Sequence, residues 1–172
     1  PASTSYAITL KKNIITGNSK KIDGIRADSG KLILSSNTIS SCSRAIILSS
    51  KVKGTVYPNT FKKNTYNNVK VNSSYVNTLT VKSLSGKSKS AKTATLNWKK
   101  LSSASGYVVY RSASKNGSYT KISTIKKNKT ITYKDSKLKR KSTYYYKIVP
   151  YTTIGKTTVY GLDSKIVSIK IK

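Results

Sequence analysis

Residues 37–50 read NTISSCSRAIILSS, a run of serines and threonines interrupted by isoleucines. This pattern fits neither the period of a helix nor the alternation of an ordinary hairpin. Related stretches begin at Asn13, with NIITGN, and at Asn59, with NTFKKN. The short pattern Asn-x-Ile/Phe therefore recurs at Asn13, Asn37 and Asn59, at intervals of 24 and 22 residues. Repeats with periods in the twenties are typical of a solenoid.

A second landmark, a small residue followed by isoleucine, keeps nearly the same phase and ends at Ile25 and Ile46. A leucine-rich solenoid would need leucines at fixed places that this segment lacks, which leaves a parallel β-helix. Inward side chains of successive turns stack in such a fold, so Ile14, Ile39 and Phe61 are predicted to form one internal ladder. Ile25 and Ile46 are predicted to form another. The repeated asparagine suits the bends, where its amide can hydrogen-bond its copy in the next turn.

The first 70 or so residues resemble right-handed parallel β-helix proteins of the pectate-lyase-like class. The motifs that carry the resemblance are "NIITGN" with "DGIRA", and "NTISSCSRAIIL". The third turn departs from the pattern because it lacks a clear Gly-Ile element. We interpret residues 1–76 as the last turns of a longer solenoid, since about three turns is the lower limit for burying a core.

Residues 77–172 contain seven or so short β-rich runs separated by turn residues. That number fits one antiparallel sandwich. In "STYYYKIVPY", Tyr144, Tyr146 and Ile148 fall on one face of a strand, as expected where one face of a sheet is buried. Asn116-Gly117 is a hairpin signal because both residues accept positive φ.

This half resembles a fibronectin type III domain of the kind found in secreted bacterial proteins. The resemblance rests on "GYVVYRS", "NGSYTKI" and "YKDSKL" together with a tryptophan in the second predicted strand. It implies a tyrosine corner spanning Leu138 to Tyr144 and a core that contains Trp98, Tyr107, Leu138, Tyr144 and Tyr146. The predicted fold class is all-β: a short right-handed parallel β-helix segment, residues 1–76, followed by a fibronectin type III-like antiparallel sandwich, residues 77–172.

The chemistry available to this chain is sparse, with no His, no Glu, one Cys and four Asp. Metal sites built from imidazole and thiolate clusters and a Ser-His-Asp triad are excluded. Asp23 and Asp28 flank Arg26, an arrangement that a β-helix lyase could use to hold calcium and abstract a proton, but such lyases need more ligands. Asp135 is expected to be structural. We therefore predict no catalytic residues, no metal site and no cofactor.

Charge is the strongest functional signal, because 34 Lys and Arg against four Asp give a formal net charge of +30. Residues 1–76 carry 12 basic and 2 acidic side chains, and residues 77–172 carry 22 and 2. A diffuse positive field of this kind attracts polyanions without reading their detail. The competing explanation is that the lysines keep strand edges from pairing and keep the protein soluble. The candidate polyanion-binding residues are Lys126, Lys127, Lys129, which we place on strands, and Lys137, Lys139, Arg140 and Lys141.

We predict a non-catalytic spacer or attachment module of a secreted or cell-surface bacterial protein that binds anionic polysaccharides or wall polymers. Nucleic acid is expected to bind only non-specifically, since no base-reading motif is present. The chain is expected to be a monomer without a membrane span, because runs such as "AIIL" and "YVVY" are too short. Secretion follows from the family resemblance. One alternative is the tail of a β-helix polysaccharide lyase or glycoside hydrolase whose catalytic turns lie upstream, and another is a host-directed adhesin.

Overall fold

The computed structural model describes residues 7–17, 22–76 and 79–172. Every regular element in these residues is a β-strand, so the predicted all-β class is confirmed. The described residues contain no helix long and apolar enough to cross a bilayer. Contacts divide the chain into two compact units. The first comprises the described residues up to Val76 and Thr152–Gly161, and the second comprises Leu79–Tyr151 and Leu162–Lys172.

Eighteen strands are present in the described residues. In chain order they are β1 Ala7–Lys11, β2 Ile14–Thr16, β3 Ile25–Ala27, β4 Gly30–Ser35, β5 Thr38–Ser40, β6 Arg44–Leu48, β7 Val52–Val56, β8 Thr60–Lys62, β9 Tyr66–Val71, β10 Ser74–Val76, β11 Ser85–Lys87, β12 Ala94–Asn97, β13 Gly106–Ser112, β14 Thr120–Ile125, β15 Thr132–Asp135, β16 Thr143–Ile154, β17 Thr157–Tyr160 and β18 Val167–Lys170.

Three parallel sheets build the first unit. The strand triplets β1–β3, β4–β6 and β7–β9, here called coils, each contribute one strand to every sheet, in the orders β1-β4-β7, β2-β5-β8 and β3-β6-β9. The first, second and third strands of each coil pair with the corresponding strands of the next coil. Side chains at equivalent positions of successive coils are therefore aligned. This stacking is consistent with the predicted parallel β-helix, whose handedness stays a prediction.

The repeated asparagines form a ladder of amides across the coils. The Asn13 side chain donates to Asn37 Oδ1 at 3.1 Å, and Asn37 Nδ2 donates to Asn59 Oδ1 at 2.9 Å. Asn37 is fully buried, and its amide also donates to the backbone carbonyl of Leu10. The Asn37 backbone amide donates to Asn59 Oδ1 as well. The hydrogen bonding between asparagine copies that the repeat predicts is therefore present.

The first predicted ladder is wrong by one residue. Ile15, not Ile14, aligns with Ile39 and Phe61, whereas Ile14 pairs with Thr38 and is 81% exposed. Successive side chains in a strand point to opposite faces, so a slip of one residue turns an inward side chain outward. The pattern Asn-x-Ile itself selects the second residue after asparagine, which is Ile15 in the first coil.

The second ladder extends further than its sequence landmark. Ile25, Ile46 and Val69 align across three coils, and all three are buried. The third coil has no Gly-Ile element because Val69 takes the isoleucine position. One extra residue bulges out of β9 between Tyr66 and Val69, which shifts the period locally.

The segment Thr152–Gly161 adds a further strand to the first unit. Within that unit β17 pairs in parallel with β7, aligning Thr158 with Thr55. The Thr157 hydroxyl donates to the Val52 carbonyl at 3.0 Å, and it lies so close to Gly54 that a Cβ there would meet Thr157 at 3.0 Å. The edge of β7 is thereby covered.

The predicted division differs from this grouping, because it assigns all of residues 77–172 to the sandwich. Thr152–Gly161 instead groups with the coils, since Val159 and Ile154 pack against the coil core. The predicted boundary after residue 76 adjoins residues 77 and 78, which lie outside the described residues. That boundary stays a prediction.

Two antiparallel sheets form a sandwich in the second unit. One has the order β11-β12-β15, and the other pairs β14, β13, β16 and β18 in turn. Side chains from both sheets share one core, with Leu96 from the first and Val109 and Ile148 from the second. The core residues implied by the family resemblance are Trp98, Tyr107, Leu138 and Tyr146, which are buried, and Tyr144, which is partly buried against them.

We expect Asn37→Ala to lower the free energy of unfolding by about 2 kcal/mol or more, because it removes a buried amide and leaves its partly buried partners on two coils without their hydrogen bonds. Asn13→Ala is the matched control, since Asn13 lies at the exposed end of the same ladder. Urea titrations followed by circular dichroism would measure both. An equal or larger loss from Asn13→Ala would contradict a central role for Asn37.

Candidate polyanion-binding surface

The four carboxylates of the chain are already paired. Asp23 and Asp28 lie 3.1 and 3.9 Å from the Arg26 guanidinium. Asp135 lies 2.9 Å from Arg111, and Asp163 lies 2.6 Å from Lys147. Among the described residues, three cations therefore pair with all four Asp side chains. In the described part of the chain, the other lysines and arginines are left with solvent, aromatic rings or an external anion.

One shallow depression of about 500 Å³ lies beside the loop from β14 to β15 and is lined by Ala104, Ser105, Lys126, Lys127, Asn128 and Lys129. The buried Tyr107 anchors this loop, because its hydroxyl accepts from the Leu101 amide at 2.9 Å and donates to the Asn128 carbonyl at 3.4 Å. The lysines follow the end of β14 at Ile125, so their predicted position on a strand is wrong. A loop position leaves their ammonium groups free to reach a ligand.

A second depression of about 630 Å³ surrounds the loop from β15 to β16 and is lined by Lys92, Lys137, Leu138, Lys139 and Arg140. Leu138 is buried and pins the middle of this loop in the core. Its backbone amide donates to the Lys92 carbonyl at 3.0 Å. This contact places Lys92, which is distant in sequence, at the edge of the depression that Lys137, Lys139 and Arg140 line.

Sequence reasoning missed Lys92. The pairing of β12 with β15 aligns Ala94 with Asp135, and continuing that register outward places Lys92 opposite Lys137. Lys92 could therefore be placed beside Lys137 only from the register of β12 and β15, which the local sequence pattern does not give. Lys92, Lys137 and Lys141 have positive φ angles of 59°, 61° and 61°. A left-handed backbone is uncommon for lysine and is held only where surrounding structure enforces it.

The tyrosine corner supplies part of that enforcement. The Tyr144 hydroxyl accepts from the Lys139 backbone amide at 3.3 Å, as the spacing of Leu138 and Tyr144 predicts. The Lys141 amide donates to the Ile171 carbonyl at 2.9 Å, which ties the end of the loop to the last residues of the unit. The backbone of the loop that carries these cations is therefore held in place by hydrogen bonds between uncharged groups.

Asp135 is the centre of a buried polar network in the second unit. It is the last residue of β15, and its carboxylate accepts hydrogen bonds from Arg111 and from the Tyr146 hydroxyl, each at 2.9 Å. Burial raises the pKa of Tyr146, and its hydrogen bond to the Asp135 carboxylate raises it further. Burial opposes the charge of Arg111, but the bond to Asp135 outweighs this and raises the pKa of its guanidinium. Both hydrogen bonds end on Asp135 Oδ2 inside this buried network, which fits the structural role expected of Asp135.

The two depressions share no lining residue, so the structure divides the predicted cations into two groups. Lys126, Lys127 and Lys129 belong to one, and Lys137, Lys139 and Arg140 belong to the other. Lys141 lines neither depression. In the first unit, Arg26 lies between the only two carboxylates that could have cooperated in catalysis, and it binds both. Among the described residues, no three His, Cys, Asp or Glu side chains come together.

No family model and no curated protein matches the chain. Among solved structures, the chain is similar to a Fn3-like protein from Clostridium thermocellum, at 28% identity over 54% of this chain and 92% of that chain, with a TM-score of 0.47. It is also similar to the sixth fibronectin type III domain of human fibronectin type III domain containing protein 3, at 19% identity over 56% and 87% of the two chains and a TM-score of 0.46. A beta-1,2-glucanase from Parabacteroides distasonis matches 55% of this chain with 12% of its own, at 17% identity and a TM-score of 0.43. Little more than half of the chain is thus similar to fibronectin type III domains.

We expect Tyr144→Phe to lower the free energy of unfolding of the second unit by about 1 kcal/mol, because the Lys139 amide loses its acceptor. Tyr145→Phe should be nearly neutral, since Tyr145 lies on the opposite face of β16. Fluorescence of Trp98, the single tryptophan, during urea unfolding would report on this unit. Equal effects of the two substitutions would contradict the anchoring role of Tyr144.

The raised pKa of Tyr146 predicts a loss of stability at alkaline pH. A phenol whose pKa is higher in the folded state stabilises the fold below its unfolded pKa of about 10 and loses that contribution as the pH rises above it. The stability difference between the unmodified chain and Tyr146→Phe should therefore be constant up to about pH 10 and shrink above it. Urea titrations at a series of pH values would measure this difference. The other tyrosines and the lysines are present in both proteins, so their contributions to the pH dependence cancel. A difference that does not change between pH 8 and 12 would contradict this role of Tyr146.

Proposed function

We propose that the chain is a non-catalytic attachment module whose basic surface binds anionic polymers at a bacterial cell surface or outside the cell. The observation that carries the proposal is that, within the described residues, every Asp side chain pairs with one of three cations. Internal ion pairs account for a small part of the basic side chains. The two depressions are consequently lined by cations with no acidic side chain among them.

The binding mechanism that such a surface supports is counterion release. Each lysine that contacts a phosphate or carboxylate of a polymer displaces a condensed counterion, and the entropy gained makes affinity fall log-linearly with salt. Lysine ammonium groups act as hydrated point charges, whereas the planar guanidinium of arginine forms paired hydrogen bonds that select the geometry of a carboxylate or phosphate. Thirty of the 34 basic residues are lysines, which favours recognition of charge density over recognition of one polymer.

The loop positions of the lysines also support this proposal. Side chains on loops fixed by Tyr107 and Leu138 can meet a polymer chain without disturbing a sheet. Wall polymers that carry phosphate and acidic polysaccharides share the required charge density, and nucleic acid would bind by the same non-specific route. Absence of binding to these polymers at low salt would leave solubility as the explanation of the lysines.

We expect the chain to bind wall teichoic acid and heparin with affinities that fall steeply and linearly on a log–log plot against salt. The triple variant Lys137→Gln, Lys139→Gln and Arg140→Gln should reduce the slope by up to about 3 and weaken binding to both polymers by a similar factor. The matched variant Lys137→Arg with Lys139→Arg keeps the charge and should bind nearly as the unmodified chain does. Affinity would be measured by titration at a series of salt concentrations.

Binding that does not change with salt, or that occurs with only one of the two polymers, would contradict a charge-based mechanism. Absence of binding at low salt would overturn the proposed function itself. A triple variant that binds unchanged would move the site away from the second depression, and the variant Lys126→Gln, Lys127→Gln and Lys129→Gln would then test the first.

A further inference from the structure

The sheet β11-β12-β15 of the second unit has one face in the core and the other in solvent. Leu96 and Trp98 of the central segment are buried in the core. Asn97 and Lys99 are exposed, so side chains alternate between the two faces as they do along any strand. The strand β15 follows the same alternation. We call the solvent side the outer face, and its residues are Lys87, Thr95, Asn97, Lys99, Thr132 and Lys134.

The register of the three strands arranges the outer face in rows. Lys87 aligns with Thr95, and Thr95 aligns with Lys134, so two lysines flank the central threonine. The next row pairs Asn97 with Thr132 and contains no charge. Residues on one face of a strand are two positions apart, so successive rows lie about 6.6 Å apart. Charged and uncharged polar rows therefore alternate along the strands.

The outer face connects the two depressions. Because β12 and β15 are antiparallel, Lys99 follows β12 at the end of the sheet where Lys129 precedes β15, and Lys129 lines the first depression. Lys92 and Lys137, which line the second depression, lie at the opposite end. The extended chain from Lys92 to Lys99 spans about 23 Å at the usual rise of a strand. A linear polymer of that length can touch both depressions only by crossing the outer face.

No acidic side chain competes for the lysines of the outer face. Asp135 is the one carboxylate in these three strands, and it is buried on the other side of β15, where it pairs with Arg111. Among the described residues, no ion pair involves Lys87, Lys99 or Lys134. Lys87 and Lys134 flank one strand at about 10 Å, so they repel each other and attract an anion placed between them.

We propose that the outer face binds an extended polyol phosphate chain lengthwise, so that one polymer occupies both depressions and the face between them. The inference rests on the proposed function and names the chemistry of its polymer. The phosphates meet the lysines, whose ammonium groups bind phosphate as point charges. The hydroxyls of the polyol exchange hydrogen bonds with the Thr95 hydroxyl and the Asn97 amide, which both donate and accept.

The side chains of the outer face favour this polymer over other polyanions. Polymers of sugar rings or nucleobases gain affinity by packing on aromatic side chains, and the six residues of the outer face include none. A polyol chain has no ring and needs no such platform. Its phosphates are separated by hydroxyl-bearing units, as the charged rows of the outer face are separated by a polar row. Inorganic polyphosphate has the charge but no such units.

The first test uses the full chain and poly(glycerol phosphate) as long chains and as fragments of about two repeat units. The double variant Lys87→Gln/Lys134→Gln removes cations that line neither depression. It should bind the long chains about tenfold more weakly, because two phosphate contacts are lost. The loss for the fragments should be less than about twofold, since a fragment can occupy one depression alone. The matched control Lys121→Gln/Lys170→Gln removes two exposed lysines of the other sheet and should change either affinity less than about twofold.

The second test addresses the uncharged groups of the outer face. Thr95→Val/Asn97→Ala keeps every charge and removes two hydrogen-bonding side chains. Long poly(glycerol phosphate) should bind this variant about threefold more weakly, whereas inorganic polyphosphate of equal charge should bind it as it binds the unmodified chain. Affinities are measured by titration at one low salt concentration, with poly(U) RNA as a further probe.

Circular dichroism must show that each variant is folded. The single variants Lys134→Gln and Thr95→Val serve if a double variant is not, with expected losses for long poly(glycerol phosphate) of about threefold and about twofold. Equal losses for Lys87→Gln/Lys134→Gln and its control, or for long chains and fragments, would overturn lengthwise binding.

A loss of polyphosphate binding by Thr95→Val/Asn97→Ala as large as that of poly(glycerol phosphate) would overturn the polyol assignment. A larger loss for poly(U) than for poly(glycerol phosphate) in either variant would overturn it in favour of nucleic acid. If the unmodified chain binds no polymer at low salt, the proposed function fails and this inference fails with it. If the unmodified chain binds, and Lys87→Gln/Lys134→Gln binds long chains equally well, this inference alone fails.

Discussion

The scarcity of carboxylates is the constraint to which the rest of this structure responds. With four Asp against 34 Lys and Arg, the fold cannot neutralise its own charge by ion pairs. The chain has 13 tyrosines, and some of their rings hold cations that an acidic side chain would otherwise hold. In the described residues Arg44, Lys70, Arg111 and Lys147 each lie over at least one tyrosine ring, at 4.8 to 5.7 Å. A ring face attracts a cation without offering it a counter-charge, so the positive field remains directed at solvent.

The same constraint explains why the interior relies on neutral hydrogen bonds. The buried Asn37 amide bonds partly buried backbone and side-chain groups on two coils at once, and an amide can do so because it both donates and accepts. In the sandwich the hydroxyls of Tyr107 and Tyr144 hold the loops that carry lysines. Asp135 is the one carboxylate used inside, and its partners are a guanidinium and a phenol that keeps its proton. Fold and charge are thus carried by largely separate sets of residues.

Much of this could be predicted from periodicity, and the errors have definite causes. Asparagine at a fixed place in each repeat predicted both the coils and the amide ladder, because spacing along the chain becomes alignment across parallel strands. Assigning Ile14 instead of Ile15 to the core was wrong because adjacent residues of a strand face opposite sides. An error of one residue therefore exchanges an exposed side chain for a buried one. Lys92 and the Thr157 contact with Val52 depend on pairing between distant segments, which no local pattern records. The contact of Lys70 with Tyr75 was missed for a similar reason, since Tyr75 meets Lys70 only after β10 turns back.

Keeping this much like charge has a cost, because self-repulsion destabilises a compact state. Lys137 and Lys141 add backbone strain to that cost through their left-handed conformation, and the consecutive cations of their loop repel one another. Nothing in the core requires lysine at these positions, since Leu138 and the backbone amides make the anchoring contacts. Solubility would be satisfied by a far smaller net charge. The charge of these lysines is therefore not needed by the fold, which leaves it available to the external polyanion that we propose as the ligand.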